Sequence, residues 1–256
     1  MAAGVDIPDS FSLMGGHNPH PACLLAADDL QSRLASLGIH HNFGLTISND
    51  INAAGGSMPA VADLPVIGKM FGVLVVRSPV GECGYLSAFS GKMAGGNHHA
   101  GFVPPVFDSL TENSFLNVGM RELTAINDAI RQLEIDGGTV LKENKLELAG
   151  LRLKRRQHST SLQQQLFDHY HFLNRKGDSK SLNTIFSEAG YRNAPSGAGE
   201  CAGPKLLQFA FLHGYEPLAL TEFWWGKSPK SATWKHQHFY ACCKEKCEPI
   251  LGFMLS

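Results

Sequence analysis

The chain has 256 residues, 43% of them apolar and 18% charged, enough for one large domain or two small ones with real cores. A formal net charge of −1 gives no global attraction to nucleic acid, so any such affinity has to come from local basic patches. No stretch approaches the roughly 18 to 20 apolar residues that cross a bilayer, and "MAAGVDIPDSFSLMGG" has neither a basic leader nor an unbroken apolar run of the secretory kind, so the expected address is the cytoplasm with no membrane partner.

Residues 1–65 are rich in Pro, Gly and His, with one helix expected near Ala26 to Leu37, where Leu30, Leu34 and Leu37 recur at helical spacing. "KMFGVLVVRSPVGECGYLSAFSG" then supplies two β-branched or aromatic runs, Met70 to Arg77 and Gly84 to Ser90, around a Pro-Val-Gly turn; this reads as a strand hairpin. From Arg121 to Leu133, the residues Leu123, Ile126, Ile130 and Leu133 recur at three and four and predict an amphipathic helix. A further helical region is expected from Lys142 through Asn174, with Leu162, Leu166, Tyr170 and Leu173 on one stripe. "GDSKSLNTIFSEAGY" predicts a short helix capped by Asp178 or Ser179.

In the C-terminal part, Pro204 at the expected first helical position and Gly214 at the expected C-terminal cap frame a helix over Pro204 to His213. "PLALTEFWWG" reads as a strand, "KSPKSATWKHQH" as a basic loop, and Pro249 as the opening of a last helix. The fold class these segments imply is α+β, with a small antiparallel sheet containing 70–77 and 84–90, a helical middle and a C-terminal α/β segment. Composition divides the chain into 1–117, a mixed region with the hairpin; 118–190, helical; and 191–256, an α/β segment bearing four of the six Cys together with His213, His236 and His238. The chain stops on apolar residues, which suggests a domain cut short.

Six cysteines are too sparse for a disulfide framework, and four of them, Cys201, Cys242, Cys243 and Cys247, lie in the last region. Tetrahedral zinc takes four thiolate or imidazole ligands from closely spaced loop residues. Cys243 and Cys247 form such a pair, His238 precedes it by five, and Cys201 sits in a comparable glycine-rich loop, so the expected set is Cys201, His238, Cys243 and Cys247 around zinc. Cys242 and Cys243 are adjacent, so one of them must point away. Against this stands the reading of buried free cysteines that need no metal.

A helix-start cysteine, a strand and then a cysteine pair is also the order found in zinc-dependent nucleobase deaminases, where a glutamate near the first ligand moves protons. Here Ala202 and Gly203 follow Cys201, the pair is Cys-x-x-x-Cys with no preceding proline, and Glu200 is the one glutamate beside the loop that could serve as the shuttle. The glycines of "PSGAGEC" could cradle a phosphate, but no Gly-Lys-Ser/Thr follows, and a tight turn into the helix explains them. The pairs His40/His41 and His98/His99 lack helical metal-ligand spacing and read as ordinary loop histidines. Two basic patches remain: Arg152, Lys154, Arg155 and Arg156 in "LRLKRR", and Lys227, Lys230 and Lys235 interleaved with Trp224, Trp225 and Trp234. Basic groups meet phosphates and exposed aromatics stack on unpaired bases.

"KMFGVLVVR", "GYLSAFSGKMAG", "FVPPVFD", "HSTSLQQQLFDHYHFLN", "GAGECAGPKLLQFAFLHGYEPLALTEFWWGKSPK" and "HFYACCKEKCEPIL" together resemble the long N-terminal extension of bacterial RluA-type pseudouridine synthases, over most of residues 65–251. That family isomerises uridine to pseudouridine in structured RNA, using an aspartate in an Arg-Leu-Asp motif of a separate C-terminal domain. No Arg-Leu-Asp occurs in this sequence, so no catalytic residue carries over. The resemblance implies an accessory region that binds or positions structured RNA, rRNA or tRNA rather than DNA, alongside a synthase catalytic domain, and that makes no pseudouridine by itself. The alternatives are a deaminase-like zinc enzyme and a structural zinc-binding interaction module.

Overall fold

The computed structural model describes residues 8, 11, 18–38, 67–108, 111, 114–136 and 142–256. In chain order the elements are α1 (Pro21–Ser36), β1 (Lys69–Arg77), β2 (Cys83–Phe89), α2 (Phe115–Asp136), α3 (Lys142–His169), β3 (His171–Leu173), β4 (Ser179–Ser181), α4 (Leu182–Glu188), α5 (Ala202–Leu212), β5 (Glu216–Trp225), β6 (Phe239–Tyr240) and α6 (Glu248–Met254). The protein is α+β, with a four-stranded antiparallel sheet in the order β2-β1-β5-β6 and a two-stranded sheet of β3 and β4. The first and last regions defined by composition therefore share one sheet, because β5 pairs along the whole of β1.

Phe71 to Val76 are buried without a break, which is why β1 shows no polar alternation in the sequence. Its odd residues Phe71, Val73 and Val75 pack in one core with Ala22, Cys23, Ala26, Leu30 and Leu34 of α1. Its even residues Leu74 and Val76 pack in a second core with Ala202, Leu206, Leu207 and Ala210 of α5 and with Ile250, Leu251 and Met254 of α6. Period-two alternation thus sends the two faces of one strand to two helical layers. Gly72 lies on the α5 side: a Cβ there would stand 2.9 Å from the Cβ of Ala202, so this glycine lets the first turn of α5 sit down on the sheet.

Several boundaries differ from expectation for local reasons. The helix ending at His169 gives way to β3, because Asn174 Oδ1 accepts from the backbone N–H groups of Lys176 (3.0 Å) and Asp178 (2.8 Å), with Gly177 at φ +86°, and this turn folds His171–Leu173 back onto Ser179–Ser181. Tyr170 and Leu173 are thus not on the α3 stripe, although Tyr170 is buried. The cap of α4 is Ser181, whose Oγ accepts from Thr184 N at 3.2 Å, because the helix starts only at Leu182. Helix α5 begins at Ala202, which puts Pro204 third rather than first, still within the turn whose N–H groups have no intrahelical acceptor. Its end is as expected: Gly214 at φ +68° donates to Phe211 O (3.3 Å) and Tyr215 N donates to Ala210 O (2.8 Å), the paired bonds of a Schellman stop.

Helices α2 and α3 form a hairpin in which Ile126, Ile130 and Leu162 are buried; Gly119 admits Leu162 where a Cβ would collide with it. The rest of α3 is largely exposed. Among the described residues no helix is long and apolar enough to cross a membrane.

Candidate metal centre

Cys201 is the N-cap of α5, with extended φ −71° and ψ 157°, but its side chain makes no capping hydrogen bond. An N-cap side chain ordinarily accepts from the second or third helical N–H. Here Glu222 does so from across the sheet: its Oε1 accepts from Gly203 N at 2.9 Å. The sulfur of Cys201 is thereby released from capping. The loop that delivers it is fixed by Gly199, at φ +87° and so close to Tyr170 and Phe172 that a Cβ would lie 2.9 Å from Tyr170 Cδ1, and by Gly91 N donating to Glu200 O at 2.8 Å.

The other two thiols come from the turn that starts α6. Cys243 O accepts from both Cys247 N (3.1 Å) and Glu248 N (3.2 Å), which rolls Cys243 and Cys247 onto one side, with their sulfurs 3.5 Å apart. Cys201, Cys243 and Cys247 then present three sulfurs that all lie within 4.8 Å of one another. Zn–S bonds of about 2.3 Å in a tetrahedron place sulfurs about 3.8 Å apart. The separations here suit that ion with little adjustment, and all six cysteines are free. The metal-free cluster already favours one thiolate: hydrogen bonds from the Cys201 and Cys247 thiols, then from the backbone N–H groups of Lys246 and Cys247, pull Cys243 far below the usual thiol range. Cys201 and Cys247, as the donors, are held above it. A cation binding to all three would displace those protons.

Next to the cluster lies a buried acid that the sequence reading passed over. Glu222, in the centre of β5, is 4% exposed. Burial pushes its carboxyl up to about 7, against the Gly203 N–H, which lowers it; the Cys243 charge raises it and the Cys242 thiol bond lowers it. Cys242 therefore faces Glu222 rather than the other sulfurs, and burial holds its thiol above the ordinary range. A charged residue inside "PLALTEFWW" was the available signal, because a strand otherwise apolar on both faces has no solvent for it.

The remaining predicted residues fall elsewhere. His238 is exposed, with Nδ1 3.0 Å from His236 O, and does not join the thiols: its own carbonyl is tied to Trp224 N (3.0 Å) at the edge of β5, so the ring turns to solvent. Glu200 is held away in an ionic cluster, accepting from Tyr170 Oη at 3.2 Å and facing Lys69 and Lys205. Both lysines are lowered to about 8, chiefly by burial, and bond the end of the hairpin: Lys69 Nζ to Ser90 O (2.7 Å), Lys205 Nζ to Phe89 O and Gly91 O (3.0 Å each). Lys205, standing alone in the apolar run of α5, was legible as a buried cation.

Of the basic patches, Arg152, Arg155 and Arg156 line one groove with Arg131 of α2, while Lys154 is exposed outside it. Arg152 pairs with Glu134 at 2.7 Å, and Arg155 reaches Asn127 at 3.4 Å. Lys230 and Lys235 are exposed and Lys227 half-buried. Trp224 and Trp225 are both buried, Trp224 stacked on Trp234 (centroids 5.9 Å apart) and Trp225 against His236, so neither β5 tryptophan offers a free face to a base. His98 pairs with Asp108 and His99 with Met93 O, while His40 and His41 lie outside the described residues. Compared with known proteins, the chain matches no family model, no curated protein and no solved structure.

Proposed function

We propose that this chain is an accessory RNA-binding region of the kind found ahead of RluA-type pseudouridine synthase domains, with a zinc ion closing its C-terminal core. The observation that carries the RNA reading is the groove between α2 and α3, where Arg131, Arg152, Arg155 and Arg156 converge from two helices and only Glu134 among the lining residues is acidic. Arginines fixed on rigid helices suit phosphates, whose contacts supply affinity without reading sequence. The zinc, held by Cys201, Cys243 and Cys247, would staple the first turn of α5 to the first turn of α6, so that metal binding adds to the stability of the fold. The expected partner is structured RNA, and the chain makes no pseudouridine without a catalytic domain. Binding of a structured RNA, followed by anisotropy over a salt series, tests this: affinity should fall steeply with salt, and joint neutralisation of Arg152, Lys154, Arg155 and Arg156 should weaken it and flatten the salt slope. Affinity indifferent to both would leave the groove a solvated helix face.

A second reading, a zinc-dependent hydrolytic enzyme acting on a nucleobase, is favoured by Glu222. Zinc deaminases pair three protein ligands with a glutamate that does not bind the metal, and a zinc ion there activates water. Glu222, anchored on Gly203 N beside Cys201, is the glutamate such a reading would use, whereas Glu200 is engaged by Tyr170, Lys69 and Lys205. Ammonia released from cytidine, adenosine or an RNA base and abolished in Glu222→Gln, but retained in Glu200→Gln, would establish it.

A further inference from the structure

Three thiols leave a tetrahedral metal one ligand short. Among the described residues no fourth His, Cys, Asp or Glu atom joins the set in which every pair lies within 4.8 Å. Two neighbours that could close it stand apart: His238 is turned to His236 O, and the Cys242 sulfur lies outside the set, on the Glu222 side. Four protein ligands make a closed structural zinc site, whereas three leave a position for a molecule from solution. Cys243 is half-exposed beside the exposed Lys244 and Glu245, which gives a small molecule a way in.

Glu222 is built to stay where it is. One oxygen is anchored on Gly203 N, two residues beyond Cys201, and its charge is felt by Cys201, Cys242 and Cys247. Its backbone is locked in the ladder opposite Gly72, so the carboxyl cannot swing out to solvent without breaking β5. An acid so fixed, near three metal-binding sulfurs but outside their ring, is placed as an outer partner to whatever the metal holds.

We propose that this centre takes a small lone-pair donor from solution as its fourth ligand, and that Glu222 is the positioning residue that orients it by hydrogen bonding. The ligand class that satisfies both groups carries a nitrogen or oxygen lone pair next to an N–H or O–H, as the edge of a nucleobase does. This rests on the three-thiolate zinc reading above. It does not depend on RNA binding by the α2–α3 groove.

The test uses purified full chain loaded with Co²⁺, whose thiolate charge-transfer and ligand-field bands report coordination, titrated near pH 8 with pyrazole, whose lone-pair nitrogen adjoins an N–H. The wild type should show a saturable shift of the ligand-field bands with no loss of bound cobalt. Cys242→Ser and His238→Ala should do the same. Glu222→Gln keeps an oxygen for Gly203 N, so it should retain cobalt and all charge-transfer bands, yet bind pyrazole more weakly by about tenfold or more, because the second carboxylate oxygen that accepts the ligand N–H is gone. If neither zinc nor cobalt binds, the three-thiolate reading falls and this inference with it. If cobalt binds through Cys201, Cys243 and Cys247 but pyrazole leaves the bands unmoved, or if Cys242→Ser or His238→Ala strips the metal, the metal reading stands and the open position is refuted. Pyrazole affinity unchanged in Glu222→Gln, with metal retained, overturns the role of Glu222.

Discussion

Glu222, in the middle of β5, accepts the backbone N–H of Gly203 at 2.9 Å and so caps a helix from an adjacent strand. The bond leaves Cys201, the residue in the capping position, free to give its sulfur to the thiol cluster. Removing the acceptor would strand a buried N–H, which costs about 1–3 kcal/mol. At about pH 4.5, where the folded wild type keeps its carboxyl protonated, Glu222→Ala should therefore lower the unfolding free energy by that order, while Glu222→Gln, which can still accept, should lie close to wild type.

The same carboxyl makes the metal-free protein sensitive to pH. Burial raises Glu222 from 4.5 to about 7, so between those values the folded state keeps a proton that the unfolded chain releases. Its contribution is thus fully present below about pH 4.5 and is lost as pH rises toward about 7, a change of about 3 kcal/mol at most. Urea titrations of chelated protein at several pH values should show wild type losing stability over that range relative to Glu222→Gln. Parallel curves for the two proteins would place the carboxyl in contact with solvent.

Gly72 stands opposite Glu222 in the β1–β5 ladder, and its missing side chain sets how closely α5 approaches. A Cβ there would lie 2.9 Å from Ala202 Cβ and 3.2 Å from Leu206 Cδ1. Gly72→Ala should cost about 1–3 kcal/mol through overpacking. Since Ala202 follows Cys201, it should also weaken zinc retention. Gly84→Ala on β2 is the control, with no atom within 4 Å of the added carbon and an expected effect within about 0.5 kcal/mol.

Thr221 is buried, and its hydroxyl has no hydrogen-bond partner among the described residues. Its neighbours on that face of β5 include Ala219 and Phe223, in the core that α1 closes. Replacing an unsatisfied buried hydroxyl by a methyl relieves its desolvation, so Thr221→Val should raise stability by about 1 kcal/mol and lift the thermal midpoint. A lowered midpoint would mean that the hydroxyl has a bound water as partner.

Much of this fold was legible. The hairpin, the strand at "PLALTEFWWG" and the glycine that stops α5 each carry a local signal strong enough to act alone: a continuous apolar run, a turn tripeptide, a proline and a glycine framing a helix. The β3–β4 pair escaped because its strands are three residues long and follow directly on a helix whose apolar spacing continues through Tyr170 and Leu173. Cys243 and Cys247 were read as a pair from spacing and Cys201 from its glycine-rich loop, and these three lie together, whereas His238 stands apart, because sequence distance to Cys243 says nothing of which way a ring turns at a strand edge. Glu222 was missed for the opposite reason: it lies 21 positions from Cys201 and 21 from Cys243, and only the pairing of β5 with β1 beneath α5 brings it to them.

The ligand set gives the sharpest test of the centre itself. Protein purified without chelator should carry about one zinc per chain by mass spectrometry. Cys201→Ser, Cys243→Ser and Cys247→Ser should each lose it, because their three sulfurs are the group that lies within 4.8 Å. Cys242→Ser and His238→Ala should keep it, since Cys242 faces Glu222 and His238 faces His236. Cys23 and Cys83 should be indifferent, as Cys23 is buried in α1 and Cys83 pairs with Arg77 at the far end of the hairpin. Chelation should loosen α5 and α6 together, because Cys201 and Cys247 are their respective N-caps, and hydrogen exchange should rise in both helices while the β1–β2 hairpin stays protected. Zinc retained after loss of Cys201 would confine the metal to the Cys243–Cys247 turn and remove the staple between the two helices.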